Sequence, residues 1–320
     1  MNRRSLLFAL AYLPSMAFRR AAAQEWPRRP LRLIVPFPPG GAIDAMARLL
    51  APRISENVGK PVVVENRSGA GGTIGTQAAA QSSDGHALLM VSIAHAINPA
   101  LYPQLPYANA DFAAVAPVAV VPNILVVSAG SAVREVKGLI EAARQRPGGM
   151  TYASAGNGTS IHLAGALFCS LAGIEMTHVP YRGSSPAVTD LVGGRVDAMF
   201  DSITSASSHI ASGRLRALAV TPGKRTLAFP DIPTVAEAGV PGYALDPWFV
   251  MLAPRSLPVE ARERIGGLVA KELDDPAFRK RLAAIGAEPM QGNAASLENF
   301  IAEETTKWGD LIRHLNIRPD

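Results

Sequence analysis

One cysteine, Cys169, stands in 320 residues, so the chain carries no internal disulfide framework. It sits in the apolar run Leu163 to Ala172, where a small buried hydrophobe is the expected role. The six histidines, at 86, 95, 162, 178, 209 and 314, are scattered and show no metal-ligand spacing. No Gly-x-Ser-x-Gly elbow is present, and no pair of carboxylates is set apart as an acid/base couple. Ser160 and His162 are near in sequence, but residues two apart on a helix do not face each other. Net charge is scarce too. Lys and Arg number 31 against 26 Asp and Glu, yet the first 23 residues hold four Arg and no acid, which leaves 27 against 26. That near balance gives no footprint for nucleic acid or an anionic membrane. Neither a cofactor nor a metal is expected.

The four arginines belong to a targeting segment. Met1-Asn2-Arg3-Arg4 is followed by an apolar stretch of about 13 residues from Leu6 to Phe18, then Ala21-Ala22-Ala23. A basic start, a short apolar stretch and an Ala-x-Ala site make a signal peptide, expected at 1–23 with cleavage near Ala23. The stretch is too short for a membrane span of roughly 20 residues. Arg3-Arg4 leaves Sec and twin-arginine export both open. With no Cys near the cut, lipid anchoring is not expected. Export implies a periplasmic location.

The rest of the chain alternates short apolar strands with helices. Leu31 to Val35 reads as a strand and ends in the loop Pro36-Phe37-Pro38-Pro39-Gly40-Gly41. A helix over 42–58 follows, with Ile43, Met46, Ala47, Leu50 and Ile54 on one face and Gly59 as its C-cap. Strands are read at 61–65, 86–92, 124–127, 151–153, 176–179, 198–201, 215–220 and 249–252. Further helices are read at 73–81, 136–146, 160–172, 185–193, 259–273, 276–284 and 297–315. This repetition predicts an α/β fold with a parallel sheet covered by helices. A central unit flanked by two segments that could form another predicts a discontinuous lobe, 24–122 plus 223–320, and a second lobe, 123–222. The crossings near Pro122 and Pro222 would make a two-strand hinge. In the last helix, Leu297, Phe300, Ile301, Trp308, Leu311, Ile312 and Leu315 form an apolar stripe with one charged interruption, Glu304.

Four loops carry the candidate chemistry: 37–44, 66–73, 154–160 and 180–185. At least three lead directly into a helix. Helix N-termini hold unpaired N–H groups and a favourable dipole, so such loops bind carboxylates or phosphates without a buried cation. Ser and Thr hydroxyls can donate further bonds, and Thr159 in particular is expected to donate to a ligand carboxylate. Asp44 is read as a helix-capping residue. Asp201, at a strand end, is open to three roles: a base, an acceptor for a ligand amine, or a loop organiser. The run Gly69-Ala70-Gly71-Gly72-Thr73-Ile74-Gly75 is a loose dinucleotide match, but it opens the second β-α unit and lacks an acidic ribose partner.

Taken in order, Pro36 to Asp44, Glu65 to Gly72, His95-Ala96-Ile97-Asn98-Pro99, Tyr152 to Gly156, His162-Leu163-Ala164, Val179 to Gly183 and Phe229 to Gly239 resemble the Bug family. These are the extracytoplasmic receptors of tripartite tricarboxylate transporters. The resemblance covers essentially the whole mature chain. It implies a type II periplasmic-binding-protein fold, two α/β lobes closing as a Venus flytrap on a small carboxylated ligand. It also implies two integral-membrane permease subunits as partners; a monomer is expected. Carried over by position, it places Phe37, Pro38, Gly40, Gly41, Ala70, Gly71, Ser92, His95, Ser154, Gly156, Asn157, Gly158, Thr159, Ser160, Tyr181 and Asp201 at or beside the ligand. The sequence departs from the family pattern at Ile93-Ala94 and at Val250, which are expected to add bulk and remove a hydroxyl near the cleft. An exported sensor for the same ligands, or an exported hydrolase, are the rival readings; turnover of a bound carboxylate would favour the last.

Overall fold

The structure, a computed structural model, describes residues 26–102, 104–314 and 317; the segment 1–23, expected to be a signal peptide, lies outside them. The chain opens on β1 (Leu31–Val35), α1 (Ala42–Val58), β2 (Val62–Asn66), α2 (Thr73–Ala80), β3 (Ala87–Ser92), α3 (Ala94–Leu101) and β4 (Phe112–Val120). It continues through β5 (Asn123–Ser128), α4 (Val136–Gln145), β6 (Thr151–Ser154), α5 (Ser160–Ala172), β7 (Thr177–Pro180) and α6 (Ser184–Val192). Then come β8 (Ala198–Ser202), α7 (Ile203–Ala211), β9 (Leu215–Val220) and β10 (Trp248–Pro254). It closes with α8 (Val259–Asp274), α9 (Pro276–Ala284), β11 (Glu288–Pro289) and α10 (Ala294–His314).

Two sheets form, one in each lobe. The first has the order β11-β4-β10-β3-β1-β2 and the second β7-β6-β8-β5-β9. Strand alternation sorts the first core into two faces. Leu31, Leu33 and Val35 pack with Met46, Leu50 and Ile54 of α1 and with Ile265 and Val269 of α8. Ile34 turns to the other face, with Leu89, Val91, Ala79 of α2 and the α10 stripe Leu297, Ile301, Trp308 and Ile312. The C-cap Gly59 takes the left-handed conformation, φ 71°, and its N–H bonds Ser55 O, as its place after the helix requires.

The sheets are mixed, not wholly parallel as the alternating pattern suggested. β10 runs antiparallel between β3 and β4, and β5 runs antiparallel between β8 and β9. The reason is topological. A chain that crosses from one sheet to the other and back must feed each sheet a strand from the opposite end. β4 and α3 escaped the sequence reading because Pro117 and Pro99 interrupt them. Pro117 is tolerated because the β4–β10 ladder shifts register beside it, where no strand N–H is needed. A short helix, α7, also follows Asp201 and was not foreseen.

The outward crossing falls at Val121-Pro122. The return comes later than Pro222. Thr234 bridges Val220, Val235 N–H bonds Val220 O, and the Tyr243 hydroxyl donates to Ala164 O of α5. Residues after β9 therefore pack on the second sheet, burying Val235, Val240 and Tyr243, and the chain reaches the first sheet at Pro247-Trp248.

α2 lies close against the loop after β1. A Cβ on Gly75 would meet Arg67 O at 2.5 Å and Pro36 Cα at 2.6 Å, both backbone atoms that cannot swing aside. Gly75→Ala is expected to destabilise the protein by about 1–3 kcal/mol through overpacking, read as a lower urea midpoint at unchanged m-value. An unchanged midpoint would show that the α2–loop contact can relax.

Candidate functional site

The carboxyl ends of β1, β3, β6 and β8 face a gap between the lobes, and helix starts follow them. α1 begins at Gly41, in extended conformation with no side-chain cap. Its approach is held by Asp44, which is buried. Asp44 Oδ2 accepts from Gly40 N at 3.1 Å and Arg48 Nε at 3.0 Å, and Oδ1 accepts from Asn66 Nδ2 at 2.9 Å. Burial alone would raise this carboxyl, but the bonds from Arg48, Asn66 and Gly40 outweigh it and hold it below the ordinary value. Asn66 Nδ2 also donates to Phe37 O at 3.0 Å, so Asp44 and Asn66 together fix the Phe37–Gly41 loop.

On the opposite lobe, α5 is N-capped by Thr159, whose Oγ1 accepts from His162 N at 3.2 Å and donates to Gly156 O at 2.7 Å. Its proton is thus committed within the loop, and the expected donation from Thr159 to a ligand is corrected to a capping role. Ser160 differs: its Oγ accepts from Asn123 Nδ2 at 3.4 Å, which leaves its own proton to donate. α6 starts at Gly183, where φ is 104°. Ser184 Oγ donates to Asp201 Oδ1 at 2.8 Å, and Ser205 Oγ to Oδ2 at 2.6 Å. α7 is capped by Ser202.

The first turns of α1, α5 and α6 converge on one chamber of about 100 Å³. Gly41, Ala42 and Ile43 line it from α1, Thr159, Ser160 and Ile161 from α5, and Ser184, Ser185 and Pro186 from α6. Ser92, Asn123, Ser202 and Phe249 also line it, and Arg182 is its one basic lining residue among those described. First-turn N–H groups have no intrahelical carbonyl to bond, and three dipoles add there. Phe37, Ile43, Ile161 and Phe249 supply apolar wall. An outer basin of about 600 Å³ adjoins the chamber past Phe37, Pro38 and Gly183. It is lined by Ser68 to Gly72, Tyr102, Gly156, Asn157 and Tyr181. Here the lobes touch: a Cβ on Gly71 would meet Asn157 O at 2.7 Å, and one on Gly183 would meet Pro38 Cγ at 3.1 Å. Ala70, with φ 46°, is the single non-glycine residue at positive φ among those described.

The residues singled out from sequence therefore divide. Phe37 and Pro38 line both spaces. Gly41, Ser92, Thr159 and Ser160 line the chamber, and Ala70, Gly71, Gly156, Asn157 and Tyr181 the basin. Gly40 sits on the rim near Ser185, and Gly158 packs on Leu101 and Asn98 of α3. Ser154 and Asp201 are fully buried behind the wall, Asp201 as the organiser of Ser184. His95 lies elsewhere, buried with its ring stacked on Tyr107 and edge-on to Phe112, so it does not face the cleft. Ile93, Ala94 and Val250 are buried in the core and line neither space, so the departures there do not add bulk to the cleft. Strand alternation puts Phe249 on the cleft side and Val250 on the other. Asn123, Ser202 and Phe249 were missed. Arg182, Ser184 and Ser185 lie in the loop 180–185 that the helix-start argument singled out; Asn123 and Phe249 carry no local signal.

Ser154 Oγ lies 2.7 Å from His178 Nε2, the spacing of a nucleophile and base. The pair is closed off, because Ser154 is 0% exposed and its hydroxyl donates to Gly156 O. Burial lowers the His178 pKa to about 4, which keeps the imidazole neutral at pH 7. Burial pushes the Cys169 thiol up to about 12, which keeps it protonated at pH 7.

Burial pushes the Asp201 carboxyl up to about 6 against the bonds from Ser205 and Ser184. A raised folded-state value means its stabilising contribution is complete below about pH 4 and is lost as pH rises to about 6. Asp201→Asn removes that loss. The melting temperature of the variant relative to the parent should therefore climb between pH 4 and pH 6.5 and level off above. A pH-independent difference would mean Asp201 titrates normally.

Comparison with known proteins agrees with this geometry. The profile for the tripartite tricarboxylate transporter family receptor, TctC, matches residues 46–317. A "UPF0065 protein in tcbD-tcbE intergenic region" of Pseudomonas sp. strain P51 is 42% identical over 97% of this chain and 94% of its own. Protein BugT of Bordetella pertussis is 38% identical over 91% of both chains. The structure of R. palustris Rpa4515 with adipate shares 37% identity over 92% of this chain and 100% of that one, with a TM-score of 0.89. The chain thus belongs to the tripartite tricarboxylate transporter receptors, the Bug proteins, a family of periplasmic solute-binding receptors.

Proposed function

We propose that this protein is an exported receptor that closes over a small carboxylated ligand and delivers it to two integral-membrane permease subunits. One observation carries the reading: three helix N-termini, from both lobes, face a single small chamber lined by one basic residue among those described. Unpaired N–H dipoles suit a carboxylate better than a cation or a neutral solute. The adipate bound by Rpa4515, a relative of the same fold, supports the ligand class. Apolar walls between polar ends suit a short acyl chain or ring. Membership of a tripartite transporter receptor family supports the permease partners. The proposed moving bodies divide at Val121-Pro122 and at the return through Pro247, with the first sheet on one side and residues 123 to about 245 on the other. Export with removal of residues 1–23 completes the reading.

A melting-shift screen over dicarboxylates, tricarboxylates, amino acids and aromatic acids tests it. A ligand at one hundred times its dissociation constant stabilises by ~2.7 kcal/mol, with no product formed. Ser160→Ala should then weaken the hit by about tenfold, the size of a lost hydrogen bond to a charged group. Turnover of the hit, or a Ser160→Ala variant of unchanged affinity for every hit, would contradict the proposal.

A further inference from the structure

The charged interruption in the α10 stripe has a structural counterpart. Glu304 is 8% exposed in an otherwise apolar contact between α10 and the first sheet. Its Oε2 accepts from the indole Nε1 of both Trp248 and Trp308, each at 2.7 Å. Oε1 accepts from Lys307 Nζ at 2.9 Å, and that ammonium lies 4.8 Å from the Trp308 ring centroid. Phe300 meets the Trp248 ring edge-on at 5.4 Å between centroids. A buried carboxylate is costly unless well paired, and an apolar residue would seal this helix at lower cost. Anchoring α10 therefore does not account for an acid here.

What Trp248 holds in turn accounts for it. Trp248 opens β10, directly before Phe249, which lines the chamber. Its carbonyl accepts from Ile93 N at 3.2 Å, the residue after Ser92, and Phe249 is in register with Ser92. One residue earlier, Pro247 O accepts from Val121 N at 2.9 Å, at the crossing between lobes. Two cleft residues and one crossing thus hang on the backbone of a side chain fixed by Glu304. Charge-assisted bonds are short and directional, which suits a positioning role. We propose that Glu304 is a positioning residue for the cleft: through Trp248 it holds Phe249 and Ser92 in place without touching the ligand. This rests on the cleft being the carboxylate site.

Hydrogen exchange on the mature chain tests it without any ligand. Glu304→Gln keeps the volume and removes the charge; Trp248→Phe removes the donor; Trp308→Phe loosens α10 alone. Faster exchange at the Ile93 and Val121 amides is expected in the first two variants, with the β1–β2 ladder unchanged and no further increase in the double variant. Trp308→Phe should leave both amides protected. Uniform deprotection across the sheet, no change at Ile93 and Val121, or the same change in Trp308→Phe would overturn the proposal and show an anchor only. Titration with adipate separates the two readings. Ser160→Ala that binds adipate as the parent does would remove the cleft reading and leave the exchange result standing. With that reading intact, Glu304→Gln should weaken adipate by roughly tenfold, about 1.4 kcal/mol.

Discussion

Everything in this molecule hangs on the place where the chain crosses between its two sheets. Thr221 N–H donates to Asn123 O at 2.9 Å, Asn123 N–H to Thr221 Oγ1 at 3.1 Å, and Leu245 N–H to Thr221 O at 3.0 Å. Both residues are almost wholly buried. At the crossing itself Val121 N–H donates to Pro247 O at 2.9 Å, and this bonded junction lets the two lobes approach each other. It also forces β5 and β10 to run against their neighbours, so that β1, β3, β6 and β8 end at one gap. Helices that follow parallel strands begin where those strands end. The convergence of helix N-termini is thus a consequence of the crossing, and so is the chamber.

Attraction in that chamber comes from peptide dipoles and very little from ionised side chains. The near balance of charge after residue 23 and a single lining arginine fit this. Fixed dipoles give direction without the desolvation cost of a buried cation. Acidic groups around the site are kept behind the wall. Asp44 braces the first loop and Asp201 holds Ser184, each turning its oxygens away from the space a carboxylate would occupy.

Much of the frame was legible in the sequence because it depends on local rules. Short apolar runs marked β1 and β9, the 3.6-residue period marked α1, and Gly59 marked its end. The glycine-rich helix starts also declared themselves. What failed was long-range. Nothing near residue 248 says that β10 will insert antiparallel between β3 and β4, and Pro117 hides a strand that only a register shift permits. His95 stands in a motif that carries the family resemblance, yet α3 places it against Tyr107 and Phe112, away from the cleft. Asn123 and Phe249 reach the cleft through the crossing alone, which no local pattern encodes. Glu304 did show itself, as the one acid in an apolar stripe.

The most direct test of a dipole-lined carboxylate site is backbone amide NMR during titration with a carboxylate hit. The first-turn amides of α1, α5 and α6, at Ile43, Ile161 and Ser185, should shift most and in the downfield direction of new hydrogen bonds to an anion. Largest shifts instead at Gly266 and Gly292, which line a separate pocket between α8 and the segment before α10, or around His95 would contradict the account.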